Sequence, residues 1–172
     1  MVDTAASMHE FWDDVSFVCL TLTMKLAGLD KDGLDLIFTG NQSWNVRNAE
    51  FKAAERFKTA LGRAKPKQLR HGVPAIETDM ATTLGEIFDE YLKNDRRKRM
   101  TLLVLTNGRW ERNRDDRLVE ETIADFVKKL NKEGRTEKRR FTIQFISFGS
   151  DPTAIERLRS LDDELEREYN IP

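Results

Sequence analysis

The run Met100-Thr101-Leu102-Leu103-Val104-Leu105-Thr106 carries no charge, with a basic segment before it and Asn107-Gly108 after it. Seven residues is strand length and too short for a core helix. Apolar residues at almost every position mean that both faces of this strand are covered. Such a strand needs partner strands beside it and helices above and below. That requirement narrows the chain to a layered α/β arrangement.

The rest of the sequence supplies the other parts. Phe141-Thr142-Ile143-Gln144-Phe145-Ile146-Ser147-Phe148 alternates apolar and polar and ends at Gly149, a second strand. Leu34-Asp35-Leu36-Ile37-Phe38 is a third, entered through the turn residues Asp30-Lys31-Asp32-Gly33. Helical spacing recurs at Phe11, Val15, Val18, Leu22 and Leu26, with Gly28 as the stop. It recurs at Phe51, Ala54, Phe57 and Leu61, and at Leu84, Ile87, Phe88 and Tyr91. Two further helices follow Val119, Ile123, Phe126, Val127 and Leu130, and Ile155, Leu158, Leu161 and Leu165. Gly40–Asn48 reads as a polar connection and Lys65–Pro74 as a basic loop. Strands alternating with helices of this length predict βαβ crossovers and a three-layer α/β/α fold around a mostly parallel, Rossmann-like sheet. The 172 residues are read as a single domain, 1–172.

Composition excludes several classes. Lys and Arg number 29 against 30 Asp and Glu, so the surface as a whole is not committed to nucleic acid or an acidic membrane. A single Cys, Cys19, excludes a disulfide framework and a multi-cysteine zinc site. It lies in the apolar run Phe17-Val18-Cys19-Leu20 and is expected to be a buried thiol. No stretch has the length of a membrane-spanning helix, and Asp3 stands where a signal peptide would carry positive charge. An intracellular, cytoplasmic location is expected.

In parallel sheets, ligands bind at the loops that follow the carboxyl ends of the strands. Three polar segments fall near such ends: Asp3-Thr4-Ala5-Ala6-Ser7, Thr78-Asp79-Met80 and Thr106-Asn107-Gly108. Carboxylate and hydroxyl oxygens from separate loops suit a hard divalent cation such as Mg²⁺. With these residues in this order, the chain resembles the von Willebrand factor A domain, in its fungal intracellular form. Asp3 and Ser7 match the family's Asp-x-Ser-x-Ser loop, Thr78 its distant Thr, and Gly108 the glycine of its Thr-Asp-Gly. Ala5 and Asn107 depart from the pattern, removing one oxygen ligand and one charge. Asp32-Gly33-Leu34-Asp35, Trp110, Ile143-Gln144-Phe145 and Leu161-Asp162-Asp163 extend the likeness along nearly the whole chain.

The resemblance implies a degenerate metal-ion-dependent adhesion site. Mg²⁺ or another divalent cation would be held by Asp3, Ser7, Thr78 and Asn107. A protein partner would be met by Trp110, Trp44 and Asp79. The implied function is a non-enzymatic protein-interaction module. Asp79 has a second reading as a helix cap, and the two Trp a second reading as loop anchors. The family's first strand runs into its Asp, whereas here only Met1-Val2 precede Asp3, and Asn170-Ile171-Pro172 falls where its last strand starts. A gap is therefore expected between the Leu34 and Met100 strands, closed by rearrangement or by a strand from another chain, with homo-oligomers or strand exchange as outcomes.

The alternative is RNA or anionic-ligand binding through the basic segments Lys93–Arg99 and Arg135–Arg140. Acidic residues nearby balance them, and no stacking aromatics interleave with them. His9 and His71 are far apart in sequence. No Ser-His-Asp set, Gly-x-Ser-x-Gly turn or Gly-rich phosphate loop is present, so an enzyme is not expected.

Overall fold

The structure, a computed structural model, describes residues 1–29, 32–50, 52–67, 79–93, 99–110, 118–132 and 140–171. After a 3-10 turn at Ala6–Phe11 the described elements are α1 (Trp12–Leu26), β1 (Leu34–Leu36), β2 (Val46–Ala49), α2 (Ala53–Ala64), α3 (Met80–Lys93), β3 (Met100–Thr106), α4 (Leu118–Lys132), β4 (Phe141–Ser147), α5 (Pro152–Asp163) and α6 (Leu165–Tyr169).

The expected three-layer fold around one continuous, mostly parallel Rossmann-like sheet does not form. Most described residues are helical, and the strands fall into two separate two-stranded sheets. β1 pairs antiparallel with β2, and β3 pairs parallel with β4 in unbroken register from Met100↔Phe141 to Thr106↔Ser147. Among the described residues, only the start of the chain lies between the two sheets. Val2 makes an isolated parallel bridge to Phe38 on one side and to Leu105 on the other. Three residues make a bridge at one position, not a ladder, and that is why the sheet breaks there.

Alternation along β3 still sorts the core. Leu102 and Val104 face one apolar cluster with Ile87, Phe88 and Tyr91 of α3 and Val119, Ile123 and Phe126 of α4. Leu105 faces the other, with Trp12, Val15 and Cys19 of α1 and Phe57, Ala60 and Leu61 of α2, and Leu103 packs against it. This division follows from the period of two along a strand. The first cluster contains a tight aromatic group. Phe88 and Phe126 stack at 4.1 Å and 6°, and Phe141 meets both edge-on. Such pairs add to the area they bury.

Local signals place the elements. Asp79 precedes α3 and accepts from Thr82 N at 2.9 Å and Thr82 Oγ1 at 2.7 Å. Asp151 caps α5 through Thr153 N and Ala154 N, with Pro152 in the first turn. Those two N–H donors, with Arg109 beside them, hold the Asp151 carboxyl below its usual range. Gly33 enters β1 at φ +79°, and a Cβ there would meet the Asn48 backbone at 2.8 Å. The segment Gly40–Asn48, expected to be a plain polar connection, instead holds a 3-10 turn at Gln42–Trp44 and most of β2. Only Val46 and Ala49 of β2 are apolar, too few to show a period. Cys19 is buried as expected, and burial raises its thiol pKa.

Among the described residues, no helix is long and apolar enough to cross a membrane.

Candidate functional site

The polar residues singled out in the sequence meet in part. Asp3 is 2% exposed. Its Oδ2 accepts from Thr106 Oγ1 at 2.7 Å, and its Oδ1 from Ala5 N at 3.0 Å and from Thr39 Oγ1 at 3.4 Å. Thr106 Oγ1 in turn accepts from Gly108 N at 3.0 Å. The carboxylate thus ties together the chain start, the end of β1 and the end of β3. Of the two donors, Thr39 was not singled out, and Thr106 was named only within the Thr106-Asn107-Gly108 segment and not as a site residue. Both stand at strand ends, and Thr at the carboxyl end of an apolar run was the available signal.

The other expected ligands do not complete a cation site. Asn107 is buried, and its Oδ1 accepts from Arg109 N at 3.1 Å. Its Nδ2 and the Oγ of Ser7 are buried without a hydrogen-bond partner among the described residues. Ala5 offers no side-chain oxygen, and Asp79 is occupied as a helix cap. Thr78 lies outside the described residues. N–H and O–H donors point at the one carboxylate of the cluster, so its lone pairs serve the fold. Among the described residues, no group of three or more His, Cys, Asp or Glu is placed to hold an ion.

The two tryptophans turn inward. Trp110 is 6% exposed, beside Phe145 at 6.4 Å, with the Arg157 guanidinium 5.3 Å over its ring. Trp44 is half-buried and meets Phe38 edge-on at 6.5 Å. Loop position suggested exposure, but an indole gains more by covering a strand end than by facing water. Of the basic segments, 94–98 and 135–139 lie outside the described residues.

A feature with room for a ligand lies at the opposite end of the same strands. A cleft of about 300 Å³ runs between β1 and β3, below Met1. Its edges are Leu34–Ile37 and Met100–Leu103. Its walls are Cys19, Leu22 and Leu26 of α1 on one face and Ile87 and Tyr91 of α3 on the other. Met1–Asp3 shows how wide the cleft is. Asp3 N donates to Leu105 O and Leu105 N to Met1 O, while Val2 N donates to Ile37 O and Thr39 N to Val2 O. One strand therefore spans the distance between β1 and β3, about 10 Å for two ladder spacings.

The same bonds fix where the neighbouring backbone groups point. Odd-numbered residues of β3 face the chain start, and even-numbered ones face β4. By that alternation the N–H and C=O of Thr101 and the N–H of Leu103 open into the cleft. On the other side so do the N–H and C=O of Asp35 and the N–H of Ile37. None of these groups has a backbone hydrogen bond among the described residues. At the closed end the Met1 ammonium donates to Leu103 O at 2.7 Å. Burial pulls its pKa down from 8.0 to about 6. At the mouth, Arg47 joins Asp35 at 3.1 Å and Glu90 at 3.0 Å, linking β2, β1 and α3.

No family model matches this chain, and neither a curated protein nor a solved structure matches it. The resemblance to the von Willebrand factor A domain is therefore not upheld: nothing known supports it, and the strands form two small sheets. The adhesion-type function built on that resemblance falls with it, since the described residues assemble no metal cluster.

Proposed function

We propose that this chain is a protein-binding domain that takes up an extended polypeptide segment in the cleft between β1 and β3. The observation that carries this reading is a one-strand-wide cleft with backbone donors and acceptors along both edges that have no backbone partner among the described residues. Strand addition uses such edges for affinity and the flanking side-chain pockets for selectivity. Each backbone pair formed contributes about 0.5–1.5 kcal/mol net. Burial of apolar side chains against the α1 and α3 walls adds about 25 cal/mol per Å².

The test is amide hydrogen exchange on the full chain with an acetylated peptide, Lys-Thr-Val-Ile-Val-Val. Binding is expected to slow exchange at the N–H groups of Asp35, Ile37, Thr101 and Leu103. Leu22→Glu, which puts a charge on the α1 wall, is expected to abolish the effect. Peptide binding that leaves those four amides exchanging as before would rule this reading out.

A further inference from the structure

We infer that the outer face of α1 is a self-association surface, on which two copies of this chain pair helix against helix, antiparallel, across a two-fold axis. The composition of α1 is the first support. From Val15 to Met24 the helix holds no charged residue, in a chain where charged residues make up 34%. A surface helix carries polar and charged residues on its outer face, and one that is apolar all round is covered all round. Trp12, Val15, Cys19 and Thr23 form the buried side of α1. With about 3.6 residues per turn, Phe17 and Met24 fall on the opposite side. Phe17 is 72% exposed and Met24 62%. Leu22 and Leu26, which line the cleft, stand away from this stripe, so the surface is separate from strand uptake.

The stripe is self-complementary. Phe17 and Met24 are two turns apart, with Leu20 and Thr21 midway between them. Two such helices laid antiparallel about that midpoint place Phe17 of each copy against Met24 of the other, one contact repeated by the axis. Thr21 is small and lets the two helix axes approach.

Charge selects a second copy in this orientation. The charges of α1 sit in its end turns, Asp13 and Asp14 in the first and Lys25 in the last. Asp14 and Lys25 are three turns apart, on one flank of the stripe. A two-fold axis brings that flank against the same flank of the other copy. Each Asp14 then meets Lys25 of the second copy, whereas a parallel pair would set Asp14 against Asp14. A helix that lies on a membrane carries Lys and Arg beside its apolar face, and α1 carries two Asp there instead. One helix face buries less than the roughly 1,200 Å² below which complexes are weak and transient. The pair therefore forms at high concentration and separates on dilution, and the dilute chain is a monomer.

The experiment is sedimentation velocity on the full chain, from micromolar to near-millimolar concentration. The sedimentation coefficient is expected to rise toward that of a dimer. Phe17→Asp and Met24→Asp are each expected to hold it at the monomer value. Asp14→Lys and Lys25→Asp are each expected to weaken association about tenfold, and the double variant to recover most of the loss. Circular dichroism of each variant at dilution checks that it is folded. A chain that stays monomeric throughout, whether or not it sediments with phosphatidylcholine vesicles, overturns the proposal. A dimer indifferent to Phe17→Asp places the contact elsewhere, and a double charge reversal without recovery excludes the antiparallel pairing; either result overturns it as well.

Discussion

The Met1 ammonium and the carbonyl oxygen of Leu103 lie 2.7 Å apart, so the first residue of the chain is bonded into the middle of β3. The contact places a titratable charge at the closed end of the cleft. It also gives stability a pH dependence with a definite sign. Burial lowers the amine from 8.0 to about 6, so between these values the unfolded chain binds more protons than the folded one. Stability therefore rises with pH across that window and is lost as the pH falls through 6. The expected change is about 2–3 kcal/mol, read from urea midpoints below 6 and above 8. Protein whose Met1 is verified by mass is needed. Acetylation of that amine should flatten the profile, and a profile unchanged by acetylation would refute the assignment.

Thr106 serves Asp3 and Gly108 with one hydroxyl. Thr106→Val keeps the shape, strands part of a buried carboxylate and leaves Gly108 N without its acceptor. A loss of about 2–3 kcal/mol is expected by chemical denaturation. The thermal midpoint of the parent chain is expected not to move with millimolar Mg²⁺, because internal donors already engage Asp3. A rise would mean that a cation binds the folded state.

The stacked pair Phe88 and Phe126 sets the scale of the α3–α4 core. Both rings are buried, 4.1 Å apart. Phe126→Ala is expected to cost about 3–5 kcal/mol. Phe17, 72% exposed on α1, is the control, and Phe17→Ala should change stability by no more than about 0.5 kcal/mol. Denaturant midpoints of the two variants decide the matter, and comparable losses would contradict the packing described.

Gly33 shapes one edge of the cleft. At φ +79° a side chain is strained, and the Asn48 backbone leaves no space for a Cβ. Gly33→Ala is expected to destabilise the chain by about 1–3 kcal/mol. It should also weaken peptide uptake more than a substitution of equal cost in the α4 core does. Equal binding losses for equal stability losses would show that the β1 edge has no special part.

Local structure was far more legible in this sequence than the way its parts join. Met100–Thr106 and Phe141–Ser147 were readable because their apolar patterns have strand length and clear punctuation. Helices α2 to α5 followed from buried positions at helical spacing, though Ile155, expected inside, is 38% exposed. β2 was hidden because Arg47 and Asn48 face out and leave two apolar residues as signal. Sheet continuity was misjudged for a different reason. Apolar runs state that a strand will be covered, but not which strand lies beside it. Met1–Asp3, on which the join depends, is too short to have any period. At the candidate site, Asp3 and the end of β3 meet through Thr106, but hydrogen-bond direction decides what the carboxylate does, and composition is silent about direction. The backbone edges at Asp35 and Thr101, without a backbone partner among the described residues, are a property of neighbours, visible only once both strands are placed.

The cleft is bounded by a strand on each side and by Met1 at its end. A sheet with an open outer edge can add one chain, then another on top of the first, without limit. Here a segment that enters uses up the donors and acceptors of β1 and β3 together and presents no fresh edge of its own. On the proposed mode of binding, uptake at this place would be self-terminating and would saturate at one segment per chain.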